Sequence, residues 1–309
     1  MPRLLIQAVS SAALTWFFSL LLLRRRGSGA VIKEELRDTQ WSKEGTPVVG
    51  GIAFTLATLV TTLFDPLLTD PLIYIPLVTI LIFSLIGFAD DRAKARSASS
   101  DGLHSLTKLA LQAVGAALVL LLIARTPYLD TSLTLPFGTI KLGLAYYPFA
   151  LIYILYFVNA VNITDGLDSL AGGSSMPLLL LVAAISFRKG HMPSLSLVAA
   201  LSVFLIFNAH PARYFMGDAG SHTLGSYIAV HAILLKGEVL ILLAGALFLV
   251  ELASSLIQII SIRRFGHKVF TIAPLHHAYE LKGVGERTIV RRFVMASWVC
   301  GALSLIILW

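Results

Sequence analysis

The segment N-A-V-N-I-T-D-G-L-D-S-L-A-G-G, residues 159–173, places Asn159, Asn162, Asp165 and Asp168 between two apolar stretches. On a continuing helix their three-residue steps would line one face, and Gly166, Gly172 and Gly173 would let backbone come close to a ligand. In a chain with 57% hydrophobic and 13% charged residues, amides and carboxylates at the end of an apolar run are costly unless paired, metal-bound or functional. Hydrogen bonding between neighbouring helices accounts for one or two such residues. It accounts less well for all four together.

Three further groups have the residue types for chemistry. In G-F-A-D-D-R-A-K-A-R, Asp90 and Asp91 end an apolar run and Lys94 follows one helical turn later. Adjacent carboxylates repel, and a cation, a shared proton or a bound metal relieves them; the plain alternative is a solvated helix end with Lys94 as the i,i+4 partner of Asp90. Lys108, in S-L-T-K-L-A-L-Q, is either a phosphate ligand or a lysine snorkelling from a membrane span. In F-N-A-H-P-A-R-Y-F-M-G-D-A-G-S, Asp218 is either a helix-capping carboxylate or a hard oxygen ligand for Mg²⁺. Phe215 is either packing or a platform for a flat base. In I-A-P-L-H-H-A-Y-E-L-K-G, the adjacent His276 and His277 cannot face one direction on a helix, and their spacing from Glu280 does not match a zinc-protease motif. Phosphate or sugar contacts, or acid chemistry near neutral pH, suit them better.

The elements that must position these groups are membrane spans. The mean hydropathy is +0.83, and apolar runs near the ~20 residues that cross a bilayer recur along the whole chain. Ten spans fit, over residues 3–23, 47–64, 72–89, 105–125, 144–162, 174–187, 193–209, 220–236, 238–261 and 289–308. The predicted fold is all-α, a polytopic membrane protein forming one domain over residues 1–309, without internal repeats. A cleaved signal peptide would carry its basic residues before the first apolar run. Here Arg24, Arg25 and Arg26 follow it, so a retained span is expected. The lone Cys300 lies in the last apolar run and supports neither a disulfide framework nor a cysteine metal site.

With both termini outside, 18 of the 24 lysines and arginines, including Arg25, Arg26, Lys33, Arg37 and Lys43, fall on one side and 6 on the other. The positive-inside rule makes the first side cytoplasmic. Asp90, Asp91, Asp165, Asp168, Asp218 and Glu280 fall on that side as well, so the predicted site faces the cytoplasm. The formal net charge of +7 is then a topological signal. No clustered basic groove with base-reading partners accompanies it, and nucleic-acid binding is not expected.

Taken together, K-E-G-T-P-V-V-G-G (residues 43–51), F-A-D-D-R-A-K, N-I-T-D-G-L-D-S-L-A, F-M-G-D-A-G-S and A-P-L-H-H-A-Y-E-L-K-G resemble the polyprenyl-phosphate N-acetylhexosamine-1-phosphate transferases. Their first and last motifs resemble the phospho-N-acetylmuramoyl-pentapeptide branch of that family. The resemblance implies a cytoplasmic cleft in the bacterial inner membrane, and a Mg²⁺-dependent transfer of phospho-MurNAc-pentapeptide from UDP-MurNAc-pentapeptide to undecaprenyl phosphate, giving lipid I and UMP. It also implies contacts with membrane lipids, and a homodimer as one assembly.

By the same resemblance Asp218 matches a magnesium ligand, and Asp90, with Asp91 beside it, the residue that deprotonates or orients the lipid phosphate. Asp165 matches a further catalytic carboxylate. Lys94 and Lys108 are expected on phosphate oxygens, and Phe215 beneath uracil with Lys43, Asn162, Gly166, Asp168 and Asn208 around the nucleoside. His276 and His277 match two histidines of the signature loop, His276 as a catalytic group and His277 as a substrate contact. The chain departs from the family pattern at Ala278, where a third histidine is common, and at Ser169, where glycine is common. A sister transferase moving another sugar phosphate, such as GlcNAc-1-phosphate, is the nearest alternative. A transporter is the more distant one; it would place its acids near the bilayer midplane, where Glu251 fits best.

Overall fold

The computed structural model describes residues 2–24, 29–30, 40–97, 102–192 and 194–308. Arg25, Arg26, Lys33 and Arg37 lie outside the described residues. Twelve α-helices are described: α1 (Pro2–Arg24), α2 (Gly50–Leu63), α3 (Pro71–Ser97), α4 (Ser105–Ile123), α5 (Tyr146–Thr164), α6 (Leu170–Arg188), α7 (Ser196–Asn208), α8 (Gly217–Leu234), α9 (Glu238–Ala244), α10 (Ala246–Phe265), α11 (Leu275–Leu281) and α12 (Glu286–Leu308). Seven helical segments, within α1, α3, α4, α5, α6, α10 and α12, are long and apolar enough to cross a membrane, and α2 and α7 are shorter apolar helices. The fold is all-α, with one small addition that the sequence reading did not contain. Between α4 and α5, β1 (Ser132–Leu135) and β2 (Gly138–Lys141) pair as an antiparallel hairpin with Ser132 opposite Lys141.

The centre of the bundle is α8, buried along nearly its whole length. A helix covered on every side needs small residues where its neighbours cross, since backbones approach closely only without side chains between them. Its Gly220 meets Gly51 of α2, a Cβ at Gly225 would stand 2.5 Å from the Phe157 carbonyl oxygen of α5, and a Cβ on Gly87 of α3 would stand 2.2 Å from the Asp218 carbonyl oxygen. The helices α3 and α5 make its most extensive contacts. Three elements that carry site residues are thus keyed to one another by steric fit.

The expected span over residues 238–261 is not a single helix. It is interrupted at Gly245, which caps α9 and starts α10. A Cβ there would meet the Phe157 ring at 3.2 Å, so the break lies where α5 presses on the chain, at the residue that resists helix least expensively to lose.

The outer helices reverse the usual amphipathic order. Residues buried in α1 are Gln7, Ser11, Thr15 and Ser19, whereas Leu5, Ile6, Val9, Trp16 and Phe17 are exposed. Apolar surface outward and small polar surface inward is the pattern of a helix whose solvent is hydrocarbon.

Candidate active site

At the end of the bundle where α3, α5 and α10 finish and α4 and α8 begin, a cleft of about 1120 Å³ opens. Its walls bring together Lys43, Asp91, Lys94, Asn162, Asp165, Gly166, Asp168, Asn208, Phe215, Asp218 and His277. Residues from five separated stretches of sequence therefore share one concave surface.

One half of the cleft is a charge cluster. Lys94 Nζ stands 2.7 Å from Asp90 Oδ2 and 2.9 Å from Asp218 Oδ1, while Lys108 donates to Asp218 Oδ2 and lies 3.6 Å from Asp90. Asp90 and Lys108 do not line the cleft; they hold Asp218 from behind. The Leu103 backbone amide donates to Asp90 Oδ1 at 2.9 Å. Asp91 behaves differently from its neighbour, because its two oxygens accept the amides of Asp218 (2.9 Å) and Ala219 (3.0 Å). It caps the first turn of α8 across the helix interface, satisfying amides that have no partner within the helix and placing a negative charge at the positive end of its dipole.

Asp165 caps the C-terminus of α5 and lines the cleft. Burial, with the charges of Asp218 and Asp91 added, pushes its carboxyl up to about 8. Asn162, one turn back, donates to Ser221 Oγ at 3.0 Å and accepts from Lys108 at 3.4 Å.

The other half is a pocket around Phe215. The Phe215 amide donates to the Pro47 carbonyl at 2.8 Å, which fixes the aromatic beside the turn of Lys43, whose ammonium is 5.8 Å from the ring centre. Lys43 pairs with Asp168 at 2.9 Å and Glu286 at 2.5 Å. Asp168 also accepts from the Ala212 amide at 3.1 Å and contacts His210 Nδ1 at 2.9 Å. Asn208 accepts from the Ser169 amide at 2.7 Å and donates to the Tyr214 carbonyl at 2.9 Å. Ser169 itself has φ 66°, the left-handed region that ordinarily favours glycine; its hydroxyl donates to the Asn208 carbonyl at 3.0 Å.

The two histidines part company. His277 faces the cleft, with Nδ1 2.9 Å from Glu280, and burial of Glu280 is outweighed by the His277 and Gln40 hydrogen bonds, which hold its carboxyl below the usual range. His276 is fully buried, 2.9 Å from Glu251 of α10, and packs so closely on Gly166 that a Cβ there would lie 2.2 Å from its Nε2. His276 therefore backs the Gly166 loop and does not line the cleft. Glu251 is oriented by that contact.

Sequence reasoning missed Gln40, His210 and Glu286 as parts of the site, and placed Glu280 on its side of the membrane without giving it a role. Glu286, an acid just before the final apolar run, and Gln40, one turn before Lys43, left a faint signal. His210 left none.

Among the described residues, two places have the donors for a dication. Asp168, His210 and Glu286 bring three donor atoms within 4.8 Å of one another, but the Lys43 ammonium and the Ala212 amide already engage those carboxylates. The Asp218 cluster suits Mg²⁺ better in kind, because its donors are all hard oxygens; here too lysines already engage them, Lys94 and Lys108 on Asp218 and Lys94 on Asp90 Oδ2, so a cation would displace ammonium groups.

The glycosyl transferase family 4 model matches residues 73–236, the stretch that carries Asp90, Lys108, Asp165 and Asp218. Among curated proteins, the phospho-N-acetylmuramoyl-pentapeptide transferase of Desulfitobacterium hafniense is 37% identical over 326 residues, covering 96% of each chain. That of Halalkalibacterium halodurans is 36% identical, covering 91% of this chain and 88% of its own. That of Clostridium kluyveri is 34% identical, covering 92% of each. With a family model over more than half its length and relatives of this identity over nearly all of it, the chain belongs to glycosyl transferase family 4, among the phospho-N-acetylmuramoyl-pentapeptide transferases.

Proposed function

We propose that the chain transfers phospho-MurNAc-pentapeptide from UDP-MurNAc-pentapeptide to undecaprenyl phosphate, giving lipid I and UMP, at the cytoplasmic face of the bacterial inner membrane. An oxygen of the lipid phosphate forms a bond to the phosphorus that carries the sugar. The bond from that phosphorus to the bridging oxygen breaks, and UMP leaves with the bridging oxygen. One diphosphate linkage replaces another, so catalysis rests on positioning and on neutralising charge.

The observation that carries this reading is a single cleft in which Asp218 lies between Lys94 and Lys108, beside Asp165, next to an aromatic pocket set by Phe215, Lys43 and Asp168. Phe215 would stack on uracil, with Lys43, Asp168 and Asn208 holding the polar edge of the nucleoside. Asp218 would hold Mg²⁺, which when bound supplies positive charge to the diphosphate. Lys94 and Lys108 would turn their ammonium groups from carboxylates to phosphate oxygens, where charge-assisted bonds strengthen as charge develops. The second pKa of a phosphate monoester is near ~6, so the acceptor is largely a dianion at neutral pH. The main task of Asp90 is then orientation of Lys94 from behind the cleft, with little need for proton removal.

With purified protein and Mg²⁺, UMP is expected from UDP-MurNAc-pentapeptide only when a polyprenyl phosphate is added. Equal turnover of UDP-GlcNAc would shift the assignment to a sister transferase, and no UMP from either donor would remove the reading. Asp218→Asn is expected to lower the Mg²⁺-dependent rate by at least about 100-fold, on the order of one lost electrostatic anchor in a dry site. A retained rate would remove Asp218 as the ligand.

A further inference from the structure

Beneath the charge cluster, a line of polar side chains crosses three helices in the apolar interior. Gln112 of α4 and His222 of α8 are fully buried. Asn159 of α5 completes the line: its Nδ2 donates to Gln112 Oε1 at 2.8 Å and to the Leu155 carbonyl at 2.8 Å, and Gln112 Nε2 is 2.9 Å from His222 Nε2.

Proton positions in this line follow from one fixed group. The Leu155 carbonyl can only accept, so the atom of Asn159 beside it is the amide nitrogen. That nitrogen also faces Gln112, which must therefore turn its oxygen to Asn159 and its nitrogen to His222. The Gln112 nitrogen can only donate, so His222 Nε2 must accept. His222 is thereby the neutral imidazole with its proton on Nδ1.

Each member stands one helical turn below a residue of the charge cluster: Gln112 below Lys108, which holds Asp218, Asn159 below Asn162 and His222 below Asp218. A rotation of any one helix by a single residue, about 100°, would carry its member out of reach and leave buried polar atoms unpaired, at a cost of about 1–3 kcal/mol each. Glycine crossings already key α3, α5 and α8 by steric fit; this line brings α4 into the same register and admits a single orientation of each helix. We propose that Gln112, Asn159 and His222 are positioning residues that set the mutual rotation of α4, α5 and α8, and so aim Lys108, Asn162 and Asp218 at one point of the cleft. The inference rests on the reading of that cleft as the transfer site.

His222→Leu and Gln112→Met remove the hydrogen bonds at similar volume, whereas His222→Gln keeps an acceptor within reach of Gln112. The two apolar variants are expected to retain the melting temperature of the wild type within a few degrees while kcat falls about 10- to 100-fold, the scale of a small misplacement of reacting groups. The fall in kcat is expected to exceed any rise in KM, and His222→Gln is expected to recover most of it. Folded apolar variants with kcat within threefold of the wild type would overturn the proposal, as would a His222→Gln variant no better than His222→Leu. A measurement on wild-type protein labelled with ¹⁵N in histidine and glutamine needs no turnover: a through-bond coupling between Gln112 Nε2 and an unprotonated His222 Nε2 is expected. A protonated Nε2 at neutral pH would overturn the triad even if lipid I synthesis were established.

Discussion

Asp165 is the cleft carboxylate whose charge state is set by its surroundings. Burial, then the negative charges of Asp218 and Asp91, push its carboxyl up to about 8, so the metal-free protein carries it protonated at neutral pH. A carboxyl raised above its unfolded value near ~4 contributes stability that is complete below that value and is lost as pH rises through about 8. Metal-free protein is therefore expected to lose melting temperature as pH rises from about 5 to about 8 and to level off above that, and Asp165→Asn to flatten that decline. Unchanged pH dependence in the variant would show that another group governs it. Residue types and spacing singled out Asp165, Asp218, Lys94 and Phe215, which the fold brings to one cleft, since acids, lysines and an aromatic gathered at span ends have few inexpensive explanations. The division of labour between Asp90 and Asp91 was not legible, because adjacent identical residues differ only through which helix end each one meets. Nor did the sequence reveal the left-handed turn at Ser169: glycine is the usual sign of such a turn, and here a hydroxyl bonded to Asn208 takes its place.

At the scale of elements, site geometry depends on how closely α3 and α8 approach. Asp90, Asp91 and Lys94 ride on α3 and Asp218 on α8, and Gly87 lets the two backbones meet at Asp218 itself. A methyl group at Gly87 would stand 2.2 Å from the Asp218 carbonyl oxygen, a backbone atom that cannot rotate away. The helices must separate locally, costing about 1–3 kcal/mol, and Lys94 then loses its bridge between Asp90 and Asp218. Gly87→Ala is expected to retain helical circular dichroism while lowering UMP release by at least about tenfold. Activity within twofold of the wild type would show that the ion cluster can be reassembled at a wider spacing. Hydropathy located the helical segments because each is a run of apolar residues. It did not show the interruption at Gly245, since a glycine within an apolar run reads the same whether or not a neighbouring Phe157 presses on it. The β1–β2 hairpin was hidden by its shortness.

For the whole molecule, the solvent decides what holds the outer helices in place. Lipid tails gain nothing from excluding leucine, so a peripheral span such as α1 is retained by close packing and polar contacts. Its seam consists of Ser11 donating to the Ser196 carbonyl at 2.7 Å, Ser19 and the Tyr214 hydroxyl at 3.0 Å, and Arg3 reaching Asp65 through two bonds of 2.9 and 2.7 Å, where Gln7 also donates to Asp65. Tyr214 precedes Phe215, so this seam reaches the aromatic pocket. Removing Arg3 would leave the buried Asp65 carboxylate without its cation, which costs more than the ion pair contributes; for buried pairs the loss is about 3–5 kcal/mol, and the partial exposure of Arg3 places this one near the lower end. Arg3→Met is therefore expected to lower the melting temperature in lipid nanodiscs by several degrees, whereas Arg3→Met combined with Asp65→Leu, which removes both charges, is expected to recover most of the loss. A double variant as unstable as Arg3→Met alone would mean that α1 is held by the ion pair itself. Recovery would mean that hydrocarbon penalises the unpaired charge and that the remaining polar seam suffices to hold α1 against the bundle.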